Sequence, residues 1–182
     1  MSWKIDPAHS EISFAVRHMM ISTVRGQFTK FSGTVEFDEA NPENSSVEVK
    51  IDAASIDTRE PQRNAHLRSP DFLDVEKYPY ITFMSKRVEQ VDKTHGRITG
   101  DLTIRDATRE VTLDVEYAGI AKSPYGTTSA GFSATTTLVR KNWGLVWNMA
   151  LETGGVLVGD EVKVMIEVEI IKEEETEKEP NL

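Results

Sequence analysis

Cysteine is absent from the 182 residues, which rules out both a disulfide framework and a thiolate metal site. No run approaches the ~20 consecutive apolar residues that a membrane-spanning helix requires. The N-terminal MSWKIDPAHS carries one lysine and no apolar core of the kind a secretory leader has. On these grounds the protein is expected in the cytoplasm, or in the periplasm if a leader has been removed, without stable membrane insertion. Basic residues are in the minority, 21 Lys and Arg against 30 Asp and Glu, for a formal net charge of -9. That sign opposes nucleic-acid binding, which runs on phosphate neutralisation by Lys and Arg. About four of the nine charges belong to residues 173–182, EEETEKEPNL. This stretch reads as a solvated, disordered acidic tail behind a domain spanning 1–172.

The usual signatures of catalysis are missing too. There is no G-x-S-x-G elbow, no Walker loop and no dinucleotide fingerprint. The four histidines are His9, His18, His66 and His95, and no two have the i, i+4 spacing of a helical zinc site. A triad assembled from separate strands leaves no trace in sequence. The chain is therefore read as a non-enzyme, with no catalytic residue, metal ligand or cofactor assigned.

What the sequence has is alternation. Ile12, Phe14, Val16 and His18 share one parity, as do Phe31, Val35 and Phe37, and then Val47, Val49, Ile51 and Ala53. Ile81 and Phe83 follow, with Ile98, Leu102 and Ile104, and Val111, Leu113, Val115 and Tyr117. Phe132, Ala134, Thr136 and Leu138 form the next set, and Val162, Val164, Ile166, Val168 and Ile170 the last. Period-two patterning of this kind places apolar side chains on one face of a strand and polar ones on the other. Polar turns separate the runs, among them 38–46, 105–108 and 122–127. Short connections favour an antiparallel meander, because parallel pairing needs long crossovers. About eight such strands leave two raw edges unless the sheet closes, so the fold class is all-β, a single antiparallel barrel. Residues 57–79, with Pro61, Pro70 and Pro79, are expected to supply one or two short helices. Residues 141–160 break the alternation and concentrate Trp143, Trp147 and Met149, and a loop of that length is more often functional than idle.

A barrel of this size either fills with its own side chains or encloses one ligand. Small residues on the apolar face (Gly33, Ala53, Gly100, Gly119 and Ala134) would leave room in the lumen, or else would mark bends and close approaches. The candidate lining is Phe14, Val16, Val35, Phe37, Ile51, Ile81, Phe83, Leu102, Leu113 and Phe132, by shared parity. Arg17 and His18, followed by Met19 and Met20, suit a mouth where a cation meets a polar head and methionine touches a tail. Trp143, Trp147 and Met149 are assigned to the same boundary.

Seven motifs stand in order along the chain, beginning with Trp3-Lys-Ile-Asp-Pro-Ala-His9-Ser10, Phe14-Ala-Val-Arg17-His18, Arg25-Gly26-Gln-Phe28 and Ala65-His66-Leu67-Arg68-Ser69-Pro70-Asp71-Phe72 with Tyr78-Pro79. Gly100-Asp101-Leu102-Thr103-Ile104, Arg140-Lys-Asn-Trp143-Gly144 and Val158-Gly159-Asp160-Glu161-Val162 complete the series, which covers roughly residues 3–171. Together they resemble the YceI-like family of polyisoprenoid-binding, lipocalin-like barrels. The resemblance implies an eight-stranded antiparallel, lipocalin-like barrel whose lumen holds a long-chain isoprenoid or similar amphiphilic lipid. Two positions depart from the family pattern: Asn142-Trp143-Gly144 stands where Asp-Phe-Gly is usual, and Arg63-Asn64 where Arg-Asp is usual. An isomerase or hydrolase acting on a small apolar substrate, and a ligand-free stress-response or interaction module, stay open as alternatives, as does a homodimer.

Overall fold

The computed structural model describes residues 2–172, so the acidic tail lies outside the described residues. In chain order the strands are β1 (Ser2–Ile5), β2 (Glu11–His18), β3 (Ser22–Phe28), β4 (Phe31–Glu36), β5 (Ser46–Asp52) and β6 (Ile56–Asp57). One α-helix, α1 (Pro61–Arg68), precedes β7 (Tyr80–Gln90), β8 (His95–Ile104), β9 (Ala107–Lys122), β10 (Thr128–Val139) and β11 (Val158–Lys172). The first six strands are halves of three long staves. β2 pairs with β3 while β1 pairs with β4, and β4 pairs with β5 while β3 pairs with β6. The ring then runs through β7, β8, β9, β10 and β11, all antiparallel. It closes where β11 pairs with both β2 and β1. The result is a closed eight-stranded antiparallel barrel with a single α-helix among the described residues.

The three interrupted staves break side by side. A 3-10 turn at Pro7–His9 separates β1 from β2, capped by the Asp6 carboxylate accepting from Ala8 N at 3.1 Å. Residues 29 and 30 separate β3 from β4, and a second 3-10 turn at Ala53–Ser55 separates β5 from β6. The breaks are stitched together, Thr29 N donating to Ser55 O at 3.2 Å and Asp52 N to Lys30 O at 2.9 Å. Backbone groups freed from the ladder are thus re-paired across the breaks where the wall bends.

α1 is held against the barrel end by its own start. Glu60 is the N-cap and accepts from Gln62 N and Arg63 N at 3.2 and 2.6 Å, and Pro61 occupies the first helical turn. A polar network then ties the helix to the wall. Asn64 Oδ1 accepts from Thr58 N and Thr58 Oγ1 at 2.8 and 2.6 Å, while Arg63 donates to Thr58 Oγ1 and Thr58 O.

Candidate ligand-binding site

Inside the barrel lies a cavity of about 910 Å³. Its wall is the inward parity of the strands. Val111, Leu113, Val115 and Tyr117 face in, while Thr112, Asp114 and Glu116 between them are exposed outside. The inward residues are only half-buried, because they face an open lumen instead of one another. A barrel packed solid with its own side chains is excluded by this volume. The charged residues of the lining gather at the two ends, with Arg17, His18, Glu60, Arg63, His66 and Arg140 at one and Glu39, Glu89, Asp92, Lys93, His95 and Arg97 at the other.

Most residues singled out from the sequence come together on this wall. Phe14 and Val16 on β2, Val35 on β4, Phe37 just beyond it and Ile51 on β5 all line the cavity. So do Ile81 and Phe83 on β7, Leu102 on β8, Leu113 on β9 and Phe132 on β10, together with Arg17, His18, Trp143 and Trp147. Met19 and Met149 do not: they are 42% and 57% exposed, outside the lining. Met19 and Met20 are the central residues of the β2–β3 hairpin, both at positive φ (52° and 65°), the pattern of a type I′ turn, with Ile21 N donating to His18 O at 3.2 Å. Turn geometry therefore directs Met19 away from the lumen. The Arg17 guanidinium braces the same hairpin, donating to Met20 O at 3.0 Å and Thr23 Oγ1 at 3.3 Å.

Of the five small residues expected to make room, Ala134 lines the cavity. A Cβ at Gly100 would lie 2.7 Å from the Phe83 ring and one at Gly33 would lie 2.6 Å from Ile5 Cδ1, so these glycines accommodate neighbours. Gly119, at φ 117°, belongs to a β-bulge at the β9–β10 pairing, and Ala53 is packed in the core.

The end of the lumen beside α1 is roofed by an aromatic cluster that sequence reasoning found only in part. Trp147 meets His66 edge-on with centroids 4.5 Å apart, and Phe72 lies 5.4 Å from Trp147 and 5.0 Å from His66. His66 Nε2 is fixed by Asp71 Oδ2 at 2.9 Å. What positions Trp147 is Arg140, 3% exposed. Its guanidinium donates to Gly159 O at 2.8 Å, Leu145 O at 2.7 Å, Trp147 O at 2.9 Å and Val158 O at 3.3 Å. Burial draws its pKa below the ordinary arginine value, an effect that the Asp160 carboxylate opposes. One cation thus gathers both ends of the 144–157 segment, and its role is visible only once those carbonyls converge.

One potential metal-binding group occurs among the described residues, on the outer surface at the β1–β2 break. Asp6, His9 and Glu169 bring their donor atoms within 4.8 Å of one another. His9 Nδ1 lies 2.6 Å from Asp6 Oδ2 and 3.6 Å from Glu169 Oε2. The hydrogen bond to Asp6 is the main reason the His9 pKa is raised, with the Glu169 and Asp6 charges adding to it. The three groups partner one another and take no part in the lumen wall.

Known proteins share this architecture. The family model for the YceI-like domain matches residues 3–170. The chain belongs to the YceI-like family. UPF0312 proteins of Staphylococcus aureus strains MSSA476 and N315 are 38% and 39% identical over 163 residues, 89% of this chain and 92% of theirs. The crystal structure of Burkholderia cenocepacia BcnA is similar at a TM-score of 0.80, with 27% identity over 91% of this chain and 98% of its own. The Campylobacter jejuni YceI protein gives 0.76, with 34% identity over 87% and 90%. A polyisoprenoid-binding domain from Saccharophagus degradans shares the fold at 0.62 and 12% identity, covering 92% of this chain and 97% of that domain.

Both departures from the YceI-like pattern have a structural account. Trp143 is 3% exposed and donates from Nε1 to Leu102 O at 2.9 Å, so the added bulk is seated in the wall by a hydrogen bond. Asn64 accepts from Thr58 and also donates from Nδ2 to Asp57 Oδ1 at 3.1 Å, a bond that a carboxylate at position 64 could not give.

Proposed function

We propose that this protein holds one long isoprenoid-type lipid in its lumen and carries or sequesters it. The observation that carries the reading is the cavity of about 910 Å³ enclosed by the strands, with a predominantly aliphatic and aromatic wall. Such a wall rewards chain length: each buried methylene contributes ~0.8 kcal/mol, so ten of them would give roughly micromolar affinity before any polar contact. The wall in between offers aliphatic and aromatic surface, which suits binding over catalysis. The naming of the Saccharophagus degradans domain as polyisoprenoid-binding points the same way. Extraction of the purified protein into organic solvent, followed by mass spectrometry, is expected to yield a prenyl-chain lipid in near-stoichiometric amount. Recovery of nothing apolar from protein expressed in a lipid-containing host would overturn the reading.

Trp147 offers a second check, since it closes one end of the lumen through rings and makes no side-chain hydrogen bond of its own to the wall. Trp147→Ala is expected to weaken lipid binding by about 2–3 kcal/mol, below the ~3–5 kcal/mol of a fully buried aromatic because Trp147 is half-buried. Binding and melting are measured on the same variant. Lowered stability with undiminished affinity per folded molecule would make Trp147 a packing residue only.

A further inference from the structure

We infer that the barrel end carrying the β2–β3 turn is a membrane-docking surface, which sets Met20, Ile21 and the outer side of the 144–157 segment into the face of a phospholipid bilayer. It concerns the outside of the barrel, and rests on the lipid-binding reading above for what passes between bilayer and lumen. Six of the twelve large hydrophobic side chains left exposed among the described residues fall in two short segments, Met19, Met20 and Ile21 in the turn and Val146, Met149 and Val156 in the strap. The two segments are joined. Met19 N donates to Leu157 O at 2.8 Å, Leu157 N to Met149 O at 2.9 Å, and Ala150 bridges Val156. The Met20 thioether lies so close over Gly155 that a side chain at position 155 would collide with Sδ. The strap is apolar on both sides: Leu145, Trp147 and Leu157 line the lumen, while Val146 and Val156 beside them face out, 61% and 38% exposed. Contiguous apolar surface left in water marks an interaction site.

The turn is also built against its own stability. Met19 and Met20 hold φ of 52° and 65°, the two positions where such a hairpin favours Asn and Gly. Strained backbone that presents exposed apolar side chains gains nothing inside the fold, and points to what those side chains touch outside it. Charge favours a bilayer over a second copy of the chain. Residues 12–35 carry Arg17, Arg25 and Lys30 and no carboxylate, in a chain of net charge -9. On β11 beside them exposed Lys163 offsets Glu161, and Asp160 is paired with Lys141 at 3.3 Å, which leaves Glu152 at the tip of the strap. An anionic headgroup layer meets these cations favourably, whereas a two-fold dimer would bring the same cation-bearing patch against itself. Methionine and isoleucine at protruding tips enter hydrocarbon without stranding a polar group.

The test is co-sedimentation of the purified protein with vesicles of phosphatidylcholine and phosphatidylglycerol in equal parts. Wild type is expected to sediment with them. Met19→Asn combined with Met20→Gly gives the turn its favoured residues, so the melting temperature should hold or rise while vesicle affinity falls about tenfold or more. Ile21→Ser should lower affinity on the same scale. Tyr125→Ser removes a 94% exposed ring from the β9–β10 turn, at the opposite end of the barrel, and should leave affinity unchanged. Ala134→Trp, which fills the lumen, should bind vesicles as wild type does. Failure of wild type to sediment overturns the inference, and lipid recovered from the same protein would leave the lumen reading standing. Undiminished affinity in the turn variants, or an equal loss in Tyr125→Ser, overturns it too. Loss of sedimentation on Ala134→Trp would place the lipid contact in the lumen alone, and overturns it while supporting the lumen reading. A wild-type dimer that dissociates in the turn variants, in place of vesicle binding, would make a second copy the occupant and overturns it as well.

Discussion

Arg140→Met is expected to destabilise the protein by about 3–5 kcal/mol, the scale seen when a buried cation with several partners is removed. The four carbonyls that Arg140 serves come from both ends of the 144–157 segment, at Leu145, Trp147, Val158 and Gly159. Methionine fills much of the volume but donates nothing, and each buried carbonyl left unpaired costs ~1–3 kcal/mol unless water reaches it. Water can reach some of them only if the segment lifts, so the loss is partly converted into opening of the lumen end that Trp147 covers. Arg140→Lys should fare little better. A single ammonium on a flexible stem lacks the planar fork that spans four acceptors. For a protein of this size the change corresponds to a fall in melting temperature of roughly 10–15 °C. Thermal melts of both variants check it. A fall of only a degree or two would mean that Asn148, which exchanges hydrogen bonds with Val158 N and Val158 O, fastens the segment unaided.

Filling the lumen should have the opposite balance of effects. Ala134 on β10 faces inward between its cross-strand partners Val115 and Ile166, and it adjoins empty volume. Ala134→Trp is expected to cut lipid occupancy by about tenfold or more, because a closed, hydrogen-bonded wall cannot expand to return the lost space. Stability should change little, since the new ring enters a void and displaces no packed neighbours. Thr135→Trp, one residue along and exposed on the outer face, is the matched control and should retain wild-type occupancy. Lipid content by mass spectrometry and a melt on each variant are sufficient. Unchanged lipid in Ala134→Trp would show that the ligand lies elsewhere.

The wall of this YceI-like barrel was legible because it is written locally. Each strand alternates at period two, so the parity of Phe14 and Val16, or of Leu113 and Val115, fixes a common face before any partner strand is known. Closure was expected from the same pattern, since eight half-apolar strands joined mostly by polar turns leave two raw edges unless the sheet closes. The site's chemistry was not legible to the same degree. Met19 reads as an apolar contact until the hairpin sets it at positive φ, and Gly100 reads as space until the Phe83 ring from the adjacent strand is seen to occupy it. Arg140 looks like one more charge at a strand end until four carbonyls converge on it. Asn64 looks like a lost aspartate until Asp57 and Thr58 are beside it. Tyr117 shares its parity with the aliphatic wall, and nothing in the sequence shows that its hydroxyl is buried without a partner among the described residues. Alternation by itself determined that this chain forms a hollow or filled apolar barrel, because side-chain direction along a strand depends only on neighbours in sequence. Only the tertiary structure decided that the barrel is hollow and which carbonyls Arg140 gathers, because volume and hydrogen-bond partnership depend on residues far apart in the chain.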